Sequence, residues 1–269
     1  MDKHLHLPDP GHLSTISASI VISYALLPFL RAPARQFGFS VFGFLFSFQL
    51  NFFNLISLLT AAMAASGMDW LLRDHPHIKE KSTLPHLFLP ALTAAAIGFP
   101  LGLIEISPSW WVIMGLGSML VVLIFVAEYI SMDENDIRYP LALMVLSAVS
   151  YSLFLIIAIA MRMADIRLFL MLLTIPPAYA FFCLRILKFR LGGRWRFEWA
   201  ALLSLILAQV LIALFYWPLS PIRFGLLLLG PAYGLVGIAA SLVEHPQERV
   251  YLEPVILTGV FWLLGILLG

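Results

Sequence analysis

The sequence predicts an all-α integral membrane bundle of about nine transmembrane helices, with a short interfacial β-hairpin at about residues 37–50. Three observations lead there. Of the 269 residues, 61% are hydrophobic and 12% are charged, with a mean hydropathy of +0.96. A soluble domain is about half apolar and about a quarter charged. One core cannot hide this much apolar surface, so lipid must cover the remainder. The apolar residues also fall in unbroken runs of helical length, not in the alternation of a membrane barrel. Between the first two runs, the period switches from helix to strand.

Taken in order, the chain opens with Met1-Asp-Lys-His-Leu-His-Leu-Pro-Asp-Pro10, which is polar and lacks the basic head of a cleaved signal peptide. Residues 1–13 read as a cytoplasmic tail and 14–269 as a single transmembrane domain. The spans fall at about 14–31, 51–71, 85–106, 109–130, 140–161, 165–187, 197–217, 222–243 and 252–268. Each holds about 17–23 residues, enough to cross ~30 Å of hydrocarbon at about 1.5 Å per residue.

Between the first two spans, Phe42, Phe44, Phe46, Phe48 and Leu50 occupy every second position, with Gly43, Ser47 and Gln49 between them. That is a strand period. Phenylalanine favours strands and glycine permits a tight turn. An open strand edge cannot face hydrocarbon, which places the hairpin at the membrane surface or against protein. The competing reading of the stretch is one long tilted helix over 37–66.

Orientation follows from lysine and arginine in the loops. Eleven lie in the tail and the even-numbered loops: Lys3, Arg73, Lys79, Lys81, Arg138, Arg185, Lys188, Arg190, Arg194, Arg196 and Arg249. Five lie in the odd-numbered loops: Arg31, Arg35, Arg162, Arg167 and Arg223. The excess sets the N-terminus in the cytoplasm and, with nine spans, the C-terminus outside a bacterial inner membrane. In the basic loop, Arg185, Lys188, Arg190, Arg194 and Arg196 are expected to meet anionic lipid headgroups. A net charge of +1 points to no nucleic-acid partner.

Chemistry concentrates where the second span ends. Gly67-Met-Asp-Trp-Leu-Leu-Arg-Asp-His-Pro-His77 runs on through Lys79, Glu80 and Lys81 to Pro85-His86. Asp69, Asp74, His75, His77 and His86 are the candidate catalytic residues of a polar face. Imidazole and carboxylate suit zinc or iron. Yet His-x-His followed nine residues later by His has no ligand-set spacing, so no metal and no cofactor is expected. Asp69 stands one turn before Arg73, the spacing of an i,i+4 pair, and Trp70 reads as an interfacial anchor. The pattern Gly67, Asp74-His75-Pro76, Pro85 returns as Gly237, Glu244-His245-Pro246, Pro254, a short parallel repeat.

The middle third of every predicted span lacks Asp, Glu, Lys, Arg and His; Glu105, Glu128, Glu198 and Glu253 all lie near span ends. Proton- and ion-coupled carriers need an ionisable group at mid-depth, and a retinal Schiff base needs a lysine in a late span. Both functions are disfavoured. Haem would need histidines inside the bundle, where only His86 comes close. Asp133-Glu-Asn-Asp136 is shorter than the paired Asp-rich motifs of membrane prenyltransferases and reads as a solvated loop. Cys183 is the single cysteine, so no internal disulfide forms.

Three spans are interrupted: by Pro90 and Gly98-Phe-Pro100, by Pro176-Pro177, and by Gly230-Pro231 with Gly234 and Gly237. Proline kinks a helix and frees a backbone carbonyl. The uncharged groups expected to line a cavity are Asn51, Asn54, Thr93, Ser147, Ser150, Tyr151, Thr174, Tyr179 and Gln209. Asn54, Thr93, Tyr151, Thr174, Tyr179 and Gln209 are the ligand-binding candidates among them. Such a lining suits an apolar or amphiphilic ligand.

Gly67-Met-Asp-Trp-Leu-Leu-Arg-Asp-His-Pro76, with Leu89-Pro-Ala-Leu-Thr93 after it, resembles an uncharacterised family of multi-pass bacterial membrane proteins with a domain of unknown function. The resemblance implies no activity. The expected function is binding or passage of a lipid-like or small amphiphilic molecule. The alternatives are a membrane-embedded enzyme at the cytoplasmic face and a structural subunit that recruits a partner.

Overall fold

The computed structural model describes residues 8–29, 35–41, 44–50, 52–75, 83–103, 105–190, 195–244 and 252–267. Among them the chain forms α1 (Pro10–Leu26), a 3-10 turn (Leu27–Phe29), β1 (Arg35–Val41), β2 (Phe44–Leu50), α2 (Phe52–Arg73) and α3 (Leu84–Leu103). There follow α4 (Pro108–Ile130), α5 (Tyr139–Met163), α6 (Leu168–Arg190), α7 (Phe197–Phe215), α8 (Pro221–Glu244) and α9 (Leu252–Leu267). Among the described residues, seven helices are long and apolar enough to cross a membrane, and α9, with 16 residues, is shorter. Val112, Leu116, Met119 and Leu123 form an exposed apolar stripe on α4, while Val121, Ile124 and Phe125 of the same helix are buried. A helix apolar all round, with one face open, has lipid as its second solvent. The chain is a multi-pass helical membrane protein.

The first helix starts at Pro10, inside the stretch read as a tail. The reason is local: Asp9 is the N-cap, its carboxylate accepting from the His12 backbone N–H, and Pro10 opens the first turn. Further along the chain, α6 runs to Arg190, so Arg185, Lys188 and Arg190 are helical and not part of a loop. Helix α5 ends in a left-handed residue, Asp165 (φ 46°), with Ile166 N–H returning to Met161 O at 3.4 Å and Asp165 N–H to Arg162 O at 3.3 Å.

Strands β1 and β2 pair antiparallel, with Phe37 opposite Phe48, Phe39 opposite Phe46 and Val41 opposite Phe44. They occupy the part of 37–66 for which a long helix was the competing reading. Phe42 and Gly43, between the strands in sequence, lie outside the described residues.

Helix contacts gather into two compact units, residues 1–146 and 147–269, and α5 runs from one into the other. In the first unit α1 packs on α2 and α4, α2 on α3, and α3 on α4, a ring of four helices. Helix α1 turns Ile16, Ile20 and Tyr24 inward at every fourth position. They join Met68, Leu72, Ala94, Trp110 and Phe125 in the core. Two aromatic donors tie this core together. The Tyr24 hydroxyl donates to Ala94 O at 2.8 Å, and Trp110 Nε1 donates to Leu101 O, in the last turn of α3, at 2.9 Å. Helix ends leave carbonyls without amide partners, and lipid offers none.

In the second unit α6, α7 and α8 pack together and α9 lies on α8. The same device recurs at a proline. Pro231 has no N–H to give Leu227 O, one turn earlier. Trp262 Nε1, from α9, donates to that carbonyl at 3.1 Å. Thr258 Oγ1 donates to Gly230 O at 3.0 Å beside it. The Tyr179 hydroxyl of α6 reaches Ala232 O at 2.9 Å, and Ser204 Oγ of α7 reaches Pro176 O at 2.8 Å. The interruptions read at Pro176-Pro177 and at Pro231 are therefore prolines inside continuous helices, with side-chain donors from neighbouring helices beside them.

Candidate functional site

The polar end of the first unit is where the start of α1, the end of α2, the start of α3 and the end of α4 come together. Helix α2 stops after Arg73: His75 N–H closes a turn on Leu72 O at 2.9 Å, and the next residue in sequence is a proline. Helix α3 begins with His86 N–H on Thr83 O at 2.9 Å. Helix α4 is capped by Ser131, whose N–H returns to Ala127 O at 3.0 Å.

Six contacts build the site. The Asp69 carboxylate accepts from Arg73 Nη2 at 2.7 Å, the i,i+4 pair expected from spacing, and from Thr83 Oγ1 at 3.0 Å, which ties α2 to α3. Asp74 Oδ2 meets His12 Nδ1 at 2.6 Å. The His12 ring lies on the Trp70 indole, centroids 4.1 Å apart. The ring of His75, 3% exposed, meets the Tyr129 ring edge-on at 4.6 Å. Beside it, His86 Nδ1 meets Glu128 Oε2 at 2.8 Å with both side chains out of water, 4% and 0% exposed.

Ser131 also faces that ring. Its hydroxyl is 2.8 Å from Glu128 O and its oxygen 3.3 Å from His86 Nδ1. A hydrogen on Nδ1 would be shared between Oε2 and Oγ. Serine and carboxylate thus sit on the same ring nitrogen. A nucleophilic triad needs them on opposite nitrogens, so Ser131, His86 and Glu128 are not arranged as one.

The site is wider than the sequence offered. His75 and His86 reach adjacent residues of α4, Tyr129 and Glu128, and Asp74 reaches His12. Glu128 was legible by a stricter rule: a carboxylate within Ile-Phe-Val-Ala-Glu-Tyr-Ile is expensive in lipid and needs a partner. His12 carried no such signal. His77 lies outside the described residues. Among the described residues, no three of His, Cys, Asp and Glu are grouped to hold a metal ion.

A family model described as "Protein of unknown function (DUF5656)" matches residues 32–268. The chain belongs to that family. No curated protein and no solved structure matches it. The uncharacterised family suggested by Gly67-Met-Asp-Trp and the residues after it is of this kind. In this DUF5656 chain His12 comes from a helix ahead of the matched region and Asp74 from within it.

Other expected residues are placed as follows. Thr93 is buried and donates to Leu89 O of its own helix at 2.8 Å. Tyr151 packs on Tyr233, centroids 5.3 Å apart, and Tyr179 is spent on Ala232 O. Thr174 and Gln209 are exposed, and Thr174 donates to Leu170 O at 2.9 Å. Asn51 and the Asn54 side chain lie outside what is described. Two open grooves have other linings. One, of about 200 Å³, is lined by Thr15, Ile16, Ser19, Met63, Ser66, Gly67 and Trp70 of α1 and α2. The other, of about 240 Å³, lies among α7, α8 and α9 and is almost wholly apolar. Thr93, Tyr151, Thr174, Tyr179 and Gln209 line neither groove.

Of the basic residues, Arg190 is exposed and Arg196 half-buried, whereas Arg185 is 3% exposed with its guanidinium 5.3 Å from the Phe189 ring centroid. Arg185 therefore faces inward and is not open to headgroups. Lys188 Nζ lies 4.5 Å from the Trp195 ring centroid, and Arg194 lies outside the described residues. The acidic loop is ordered rather than merely solvated. Asp136, with a 5% exposed side chain, pairs with Arg138 at 2.8 Å and holds that guanidinium above its ordinary pKa. The apparent repeat is not equivalent in space: Gly67 faces Ile16 of α1, whereas Gly237 faces Pro254 of α9. His245 lies outside the described residues.

Proposed function

We propose that the protein binds a lipid-like amphiphile in the groove between α1 and α2. The observation that carries this reading is the groove's mixed lining, apolar at Ile16 and Met63, hydroxylated at Thr15, Ser19 and Ser66, with the Trp70 indole beside them. The hydroxyls donate to carbonyls of their own helices: Thr15 to Gly11 O at 2.8 Å, Ser19 to Thr15 O at 2.8 Å, and Ser66 to Met63 O at 3.1 Å. An alkyl chain laid there strands no donor, and free oxygen lone pairs remain for a polar group. A groove of about 200 Å³ is below the ~300 Å³ at which pockets enclose a drug-sized ligand, so it holds part of a chain. The enzymatic alternative needs substrate to reach His86, which is 3% exposed.

A photoreactive alkyl amphiphile tests this. Its label should concentrate on α1 and α2 peptides containing Thr15, Ser19 and Ser66. Ser19→Trp, which fills the groove, should cut that label several-fold. Label spread evenly over all lipid-facing helices, unchanged by Ser19→Trp, would remove the proposal.

We further propose nine crossings of a bacterial inner membrane, with the N-terminus cytoplasmic, Arg190 and Arg196 facing anionic headgroups, and the hairpin at the membrane surface. The loop-charge excess supports the orientation. Helix α9, with 16 residues, is about 24 Å long at ~1.5 Å per residue, against ~30 Å of hydrocarbon. A reporter fused after Arg190 should read cytoplasmic and one after Gly269 external. Both on one side would mean that α9 does not cross.

A further inference from the structure

We infer that the amphiphile taken by the α1–α2 groove carries a cationic headgroup. The inference rests on the groove reading and adds the charge of its ligand. Trp70, 42% exposed, lines the groove and touches His12. His12 in turn stands between two carboxylates, Asp74 Oδ2 at 2.6 Å and Asp9 Oδ2 at 3.7 Å. Those carboxylate side chains are 49% and 52% exposed, so they are open to a headgroup. One imidazole carries at most one positive charge against two negative ones. The cluster is therefore negative even with His12 protonated.

The other charges described beside it cancel: Arg73 is bound to Asp69 at 2.7 Å. A headgroup that reaches this end of the groove meets, among the described residues, net negative charge and the indole. An ammonium group is attracted by both. A phosphate or sulfonate is repelled by the first. The alkyl chain then runs along Ile16 and Met63, beside Gly67.

The test is competition against the photoreactive amphiphile, with the full chain in nanodiscs of zwitterionic lipid. Three competitors share one tetradecyl chain and carry a trimethylammonium, a neutral glycoside or a sulfonate head. With the native protein, the trimethylammonium compound should compete at about tenfold lower concentration than the glycoside, and the sulfonate more weakly than either. The Asp9→Asn, Asp74→Asn variant should bring the first two within about twofold; asparagine still caps α1, so the helix is retained. Equal competition by all three in the native protein overturns the cationic headgroup and leaves the groove. So does a tenfold preference that survives in the double variant. Loss of all specific labelling in the native protein would instead overturn the groove reading itself.

Discussion

Glu128→Ala lowers stability by about 3–5 kcal/mol, because breaking a buried pair takes from the other member its closest partner in a dry environment. Glu128 is 0% exposed and its partner His86 4%, so water cannot replace the lost contact. His86→Ala should cost a similar amount, since it strands a carboxylate in place of an imidazole. Glu128→Gln retains an oxygen for the Nδ1 hydrogen and should cost less than either. The informative variant replaces both: His86→Leu with Glu128→Leu removes the desolvation penalty along with the attraction. It should recover most of what either single alanine loses. Equilibrium unfolding of purified protein in mixed micelles measures all four. If the alanine variants unfold with the native protein, or if the double leucine variant is as unstable as the sum of the two singles, the pair does not hold α3 to α4.

Gly234→Leu should cost about 1–3 kcal/mol by overpacking, and the loss should fall on the α8–α9 contact. A Cβ at Gly234 would collide with Thr258 Oγ1, and one at Gly237 would stand 2.6 Å from Pro254 Cγ. Thr258 has little freedom to yield, because its hydroxyl is held by Gly230 O and Pro254 O at 3.0 and 2.8 Å. Pushing α9 away also withdraws Trp262 from Leu227 O, the carbonyl that Pro231 leaves without an amide. Gly259, on α9, is the control: nothing lies within 4 Å of its built Cβ. Gly259→Leu should lose nothing, since leucine is the better helix former. Unfolding midpoints of the two variants decide the matter. Equal losses at 234 and 259 would show a general intolerance of bulk and not a close α8–α9 contact.

Burying apolar surface in lipid is a sum over residues and needs no knowledge of neighbours. Membrane class and the positions of the long helices were therefore legible in the sequence. So were features whose partners lie within one turn. The Asp69–Arg73 pair follows from i,i+4 spacing. The early start of α1 follows from Asp9-Pro10, a cap and first-turn signal that hydropathy alone passed over. The family resemblance also rested on a contiguous run, Gly67 to Pro76.

The candidate site is of another kind. His86 meets Glu128 across 42 residues, His12 meets Asp74 across 62, and Trp262 meets Leu227 O across 35. Each of these depends on which helices are neighbours and how each is rotated about its axis. Rotation is set where small residues admit a bulky one, as Gly67 admits Ile16 and Gly117 admits Ile97. Hydropathy carries little of that information here, because these helices are apolar on every face. The sequence by itself determined that the protein lives in lipid and where its polar residues gather. Only the tertiary structure decided that Glu128 partners His86, that His12 partners Asp74, and that the groove beside Trp70 is open, because helix packing selects the faces that meet.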